Sequence, residues 1–175
     1  MTQPITESEI HAQLVRWCKA VTGRKTIQSY PGADRPSGEY CEVEFLTGPR
    51  DVRTLVADIE FNETGENNSE GNPQIEAVPV IESEWKFSIK SYRGEVMDPI
   101  RKMRSRSKMQ GPQLELHELL TIHDMGIPNS TPEMINNEWE PRAHTLIFIR
   151  GYTRDGFLID VIDDAPVTVT TNFND

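Results

Sequence analysis

Two cysteines are too few for a four-cysteine zinc site, and no histidine pair at finger spacing stands beside them. Cys18 and Cys41 read as free thiols in a reducing cytosol, with a single disulfide as the alternative. Long apolar runs are missing as well. Leu146 to Ile149 and Phe157 to Ile159 are the longest, far short of the ~18 residues a spanning helix needs. Met1 to Glu9 has neither a basic start nor an apolar centre, so a secretory leader is not expected. There is no Gly-rich phosphate loop, no His-Glu-x-x-His, no Gly-x-Ser-x-Gly and no EF-hand loop. No cofactor is therefore expected. Basic residues are scarce, 18 against 28 acids, for a net charge of -10. A chain so acidic repels phosphate and anionic lipid, which argues against a general nucleic-acid or membrane binder.

What is present begins with a helix. Ile10, Leu14, Trp17, Cys18 and Val21 make one apolar stripe, which predicts a helix from about 6 to 22. Thr6-Glu7-Ser8-Glu9 is a capping box, Ile5 and Ile10 suit a hydrophobic staple, and Gly23 suits a left-handed stop. Tyr30 to Gly38 is a Pro- and Gly-rich loop. Alternation predicts strands at Tyr40 to Phe45, Leu55 to Phe61, Ala77 to Ile81 and Trp85 to Ser91. Val96, Ile100 and Met103 space as a second helix that Gly111-Pro112 ends. Pro128 to Pro132 reads as a loop. Ala143 to Tyr152 and Phe157 to Ile162 read as strands in a tight hairpin around Asp155-Gly156.

Asn62 to Gln74 holds four Asn, three Glu, two Gly and a Pro, and nothing aliphatic beyond a methyl. Such a stretch buries too little to offset its ordering entropy. It is expected as a mobile, protruding hairpin loop, either a surface insertion or a contact element. Helix, strands, helix, strands is an order that disfavours a doubly wound parallel sheet. The expected fold class is α+β: a mostly antiparallel mixed sheet with two main helices on one face. The length suits a single domain over 1–175, with a mobile loop at 62–74 and a frayed tail at 168–175.

Three groups of residues carry candidate chemistry. His117 and His123 are six apart, which does not put two rings on one helix face, so solvated histidines are favoured over a metal pair. Asp58 on one strand, with Glu84-x-Lys86 on another, matches the arrangement of many magnesium-dependent nucleases. An alternating amphipathic strand also produces that pattern. The strongest feature is charge. Arg93 to Lys108 holds six bases (Arg93, Arg101, Lys102, Arg104, Arg106, Lys108) and two acids, net +4, leaving -14 on the rest. Asp58 to Glu76 holds six acids and no base, a natural mate for a neighbouring copy. A solvated helix face and a DNA contact are the other readings of the basic helix.

Several segments arrive in one order. The first helix closes on Trp17-Cys18-Lys19-Ala20-Val21-Thr22-Gly23. Asp34-Arg35-Pro36-Ser37-Gly38-Glu39-Tyr40-Cys41-Glu42-Val43 follows. Trp85-Lys86-Phe87-Ser88-Ile89-Lys90-Ser91-Tyr92-Arg93-Gly94 then leads into the second helix. Over roughly residues 10 to 163 this resembles the phage neck terminator family. It departs at Pro31-Gly32-Ala33 and in the Asn62 to Gln74 insertion. The resemblance implies a non-catalytic virion protein, assembled in the host cytoplasm and forming a homo-oligomeric, sixfold ring on the tail. The ring would terminate the tail tube and dock the head–tail connector, with the tail sheath as a further candidate neighbour. DNA would pass through its lumen without sequence-specific binding, and no membrane is involved. Candidate interface residues are Arg35, Glu63, Glu66, Glu70, Arg93, Arg101, Lys102, Arg104, Arg106 and Lys108. The alternatives are a metal-dependent nuclease using Asp58, Glu84 and Lys86, and another head-completion or minor tail protein.

Overall fold

A computed structural model of the chain describes residues 6–30, 35–52, 58–69, 71–109, 116, 120–135 and 137–159. Helix α1 (Glu7–Thr22) starts at its capping box. The Glu9 N–H donates to Thr6 Oγ1 at 3.3 Å, and the Thr6 N–H donates to the Glu9 carboxylate at 2.8 Å. Gly23 takes the left-handed conformation at the other end, and its N–H donates to the Lys19 carbonyl. The remaining elements are β1 (Lys25–Gln28), β2 (Tyr40–Asp51), β3 (Asp58–Asn67), β4 (Pro73–Tyr92), α2 (Met97–Ser107), β5 (Thr121–Met125), β6 (Asn129–Ser130), β7 (Glu133–Ile135), β8 (Glu138–Glu140), β9 (Arg142–Arg154) and β10 (Phe157–Ile159).

The chain divides into two compact units, Met1–Val56 with Ile81–Thr153, and Ala57–Val80 with Arg154–Asp175. In the first, the strand order is β1-β2-β4-β9-β5, with β6 also on β9. β1 runs parallel to β2, while β2 with β4 and β5 with β9 are antiparallel. Alternation sorts the two faces of this sheet. Val43, Trp85, Phe87, Ile89, Ala143, Ile147 and Ile149 turn to one side. There they join Ile10, Leu14, Trp17 and Cys18 of α1 and Ile100 and Met103 of α2 in one buried core. Each fully buried Val, Leu, Ile, Phe or Met among them contributes about 1.5–3 kcal/mol by leaving water. The fold is therefore α+β, two helices on a mixed, mostly antiparallel sheet. In the second unit, β3 and β10 flank the first part of β4, both antiparallel to it.

Three details differ from the sequence expectation. The strands expected at 77–81 and 85–91 are one continuous strand, β4. Most of 62–74 is paired ladder, down to Asn67 opposite Pro73, because backbone pairing needs no apolar side chain. Residues 53–57, Gly111-Pro112 and 160–175 lie outside the described residues. Asp155-Gly156 makes no tight hairpin either. β10 pairs with β4, Phe157 opposite Ala77, and Gly156 does not have a positive φ. What glycine supplies at 156 is room, since a Cβ there would collide with the Glu76 carboxylate.

Leu14 is fully buried, so Leu14→Ala is expected to lower the unfolding free energy by about 3 kcal/mol. Thr6→Ala, which removes only the cap, is expected to cost about 1 kcal/mol. Urea unfolding of the two variants checks both.

Candidate assembly surfaces

On the outer side of the first unit's sheet, two carboxylates, Glu140 and Glu84, are each shared between two arginines. Glu140 accepts from Arg93 Nε at 2.9 Å through one oxygen and from Arg142 Nη2 at 2.9 Å through the other. Arg142 also pairs with Glu133. The Tyr40 and Tyr92 rings stack 4.6 Å apart, with the Arg93 guanidinium over Tyr40 at 5.9 Å and Arg142 over Tyr92 at 5.0 Å. The result is a four-layer stack closed by one carboxylate. From it Arg93 Nη1 donates to the carbonyl of Pro36, which fixes the loop that carries Arg35. Arg24 supports the same region from behind. It pairs with Glu39 at 2.8 Å and donates to Ser91 Oγ and to the carbonyls of Arg93 and Glu95.

Arg35 is exposed and lines an open groove of about 600 Å³ with His11, Tyr30, Glu42 and Glu44 among others. His11 Nε2 donates to the Val43 carbonyl at 2.8 Å and ties α1 to β2. Burial pushes the Glu42 carboxyl up. Hydrogen bonds from Ser29 and Tyr92 and the charges of Lys90 and Arg35 outweigh burial and hold it below its ordinary value. Burial and the same Glu42 contact drive the Tyr92 phenol well above its usual range.

On α2, Arg101 and Lys102 both pair with Asp98, at 2.8 and 2.9 Å. Their hydrogen bonds, that of Lys102 foremost, lower the Asp98 carboxyl. Arg106 Nη1 lies 3.5 Å from Met109 Sδ, and Lys108 reaches Asp124 at 3.5 Å. Arg104 is exposed, and among the described residues no ion pair engages its guanidinium. Arg93 stands apart from these bases, engaged in the stack. In the second unit Asp58, Glu60, Glu63 and Glu66 are exposed on β3, while Glu70 lies outside the described residues. Sequence reasoning passed over the β7–β8 hairpin, where Met134 sits opposite Trp139 and both are more than half exposed. Its strands are three residues long, too short for alternation to register.

Of the nuclease candidates, Glu84 does not offer an open carboxylate. Glu84 is buried, and its two oxygens accept from Arg50 and Arg150, each at 3.0 Å. Lys86 Nζ sits 5.7 Å from the centre of the Phe148 ring. Asp58 pairs in register with Val80. Among the described residues no group of three His, Cys, Asp or Glu side chains is placed to hold a metal ion. His117 lies outside the described residues. Cys18 and Cys41 are buried free thiols, and burial raises both above the ordinary thiol value.

These features define a class: a small α+β protein whose outer sheet face carries internal ion pairs, with exposed bases gathered on α2 and exposed acids on β3. The sequence profile of the phage neck terminator protein family matches residues 8–174, and the chain belongs to that family. It is thus a structural protein of the bacteriophage neck, and its place is the virion. Among curated proteins, no sequence matches the chain. No helix among the described residues is long and apolar enough to cross a membrane.

Two outcomes test the outer face. Glu140→Ala strips the shared acceptor from two arginines and is expected to cost about 2–3 kcal/mol by urea unfolding. Exposed Glu66→Ala should stay within about 0.5 kcal/mol. Glu42 concerns pH. A carboxyl whose folded value is depressed stabilises the fold above its unfolded value and loses that contribution as pH falls through the folded one. Glu42→Gln is therefore expected to be less stable than wild type at neutral pH. The gap should close on acidification below the ordinary value of 4.5.

Proposed function

We propose that this chain is a ring-forming neck subunit that closes the head-proximal end of the tail tube and joins it to the head–tail connector. Membership of the neck terminator family supports the location. The observation that carries the mechanism is the sorting of exposed charge. Arg101, Lys102 and Arg104 are exposed on α2 and Lys108 at its C-cap, and Asp58, Glu60, Glu63 and Glu66 are exposed on β3. Surfaces of opposite sign on one chain favour a head-to-tail contact between copies. Such contacts close into a ring when the rotation between copies permits.

Six copies is the number the family resemblance implies. Arg106 extends the basic surface, and Arg35, exposed beside its groove, offers a bidentate guanidinium to a neighbour's carboxylate. The tube protein and the connector contact opposite rims of the ring, with the tail sheath as a further neighbour. The net charge of -10 keeps the lumen from gripping the DNA that passes through it. In this reading the protein turns over no substrate and acts by fit alone. A head-completion or minor tail protein would share these features, and its position in the particle is what separates the readings.

Closed rings of this chain are expected by electron microscopy, either of the purified protein or at the neck of purified particles. A chain that stays monomeric in solution and is missing from the particles refutes the reading. The triple variant Arg101→Glu, Arg104→Glu, Arg106→Glu should fold, by circular dichroism, and fail to assemble. Plasmid nicking in magnesium should be absent for wild type and Glu84→Ala alike. Nicking that wild type performs and Glu84→Ala abolishes would replace the structural role with a catalytic one.

A further inference from the structure

Among the described residues, one sheet face of the second unit is apolar and exposed. Residues paired across antiparallel strands point to the same side, and sides alternate along each strand. Ile59 lies beside Pro79; Phe61, Ala77 and Phe157 form one row; Ile75 and Ile159 belong to the next. All of these share a face. Phe61 is 63% exposed, Phe157 62%, Ile59 49% and Ile159 40%. Glu63, opposite Ile75, continues that face, and Glu66 follows along the hairpin. A contiguous apolar face of this kind marks an interface.

We propose that this face seats helix α2 of a second copy of the chain. The inference rests on the ring reading and names the contact that builds the ring. Size agrees. The face runs about 14 Å from Ile59 to Glu63 and about 10 Å across three strands. The eleven residues of α2 span about 16 Å on a rod roughly 10 Å wide. Charge agrees as well, since the rim is acidic and α2 is basic.

The chemistry of the outward side of α2 fits too. Met97, Arg101, Arg104 and Lys108 fall at i, i+4, i+7 and i+11, one stripe, and all are exposed. The apolar side of the helix is committed to its own core through Ile100 and Met103. Guanidinium planes stack on exposed phenylalanine rings, and alkyl stems cover the aliphatic floor. The charged heads then reach Glu63 and Glu66, and Met97 adapts to the edge. Each copy carries one sheet face and one helix, so every contact leaves a free surface of each kind until the ring closes.

Two variants, each defective on one side, test it. Phe61→Asp with Phe157→Asp spoils the sheet face, and Arg101→Glu with Arg104→Glu spoils the helix. All four positions are exposed, and unchanged circular dichroism and melting confirm folding. Each variant alone is expected to self-associate at least about 30-fold more weakly than wild type. Mixed, they retain one good sheet face and one good helix, and should form a one-to-one pair of twice 20.0 kDa that grows no further. Wild-type rings together with a mixture that stays monomeric would overturn this contact and leave the ring reading standing. Rings that persist in either variant would do the same. A wild type without rings in solution or in particles would remove both.

Discussion

Carboxylates shared between two arginines hold the outer face of the main sheet. Glu140 does this between Arg93 and Arg142, and Glu84 between Arg50 and Arg150. A sheet with helices on one side must still satisfy its other side. Here that side is closed with ion pairs in place of a second apolar layer. A carboxylate that accepts from two guanidinium groups has both oxygens engaged, which limits the cost of partial burial. Arg93 passes this order on to the Pro36–Gly38 loop, and Arg142 passes it on to Glu133 of β7.

Much of this was legible in the sequence where the pattern was long and regular. The sixteen residues of α1 carried a stripe, a capping box and a glycine stop that agree with one another. Five inward-pointing residues in succession along β9 made it equally plain. β1 was not legible: of its four residues, Lys25-Thr26-Ile27-Gln28, only Ile27 is apolar. β5 was hidden by a register shift between Ile122 and Asp124. Its two buried residues, Ile122 and Met125, are three apart where alternation requires two. Composition also misled. The asparagine-rich arm of β3 reads as a loop until its backbone pairing with β4 is counted.

The assembly residues divide by the same logic. A run of bases on a helix is visible as charge, but charge does not say which bases are engaged. Arg93 belongs by sequence to the basic run, yet its Nε and Nη1 lie in the Tyr40–Tyr92 stack, while Arg104 is left without an ion pair among the described residues. The bare apolar face was not legible either. Ile59 and Phe61 lie on β3, Ile75 on β4 and Phe157 on β10. Only the register that puts Phe61, Ala77 and Phe157 in one row makes a surface of them.

The combination of a bare apolar face with an acidic rim has its own physical consequence. Apolar faces invite pairing with copies of themselves, and a face-to-face pair of these sheets would form a closed twofold dimer that excludes a ring. Glu63 lies on that face and Glu66 beyond it on the same hairpin, so such a pair would press like charges together with no base on β3 to separate them. In the proposed contact the basic stripe of α2 would remove that penalty and cover the phenylalanines together. In a chain with 28 acids and 18 bases, concentrating bases on one helix would favour that mixed contact over the twofold one.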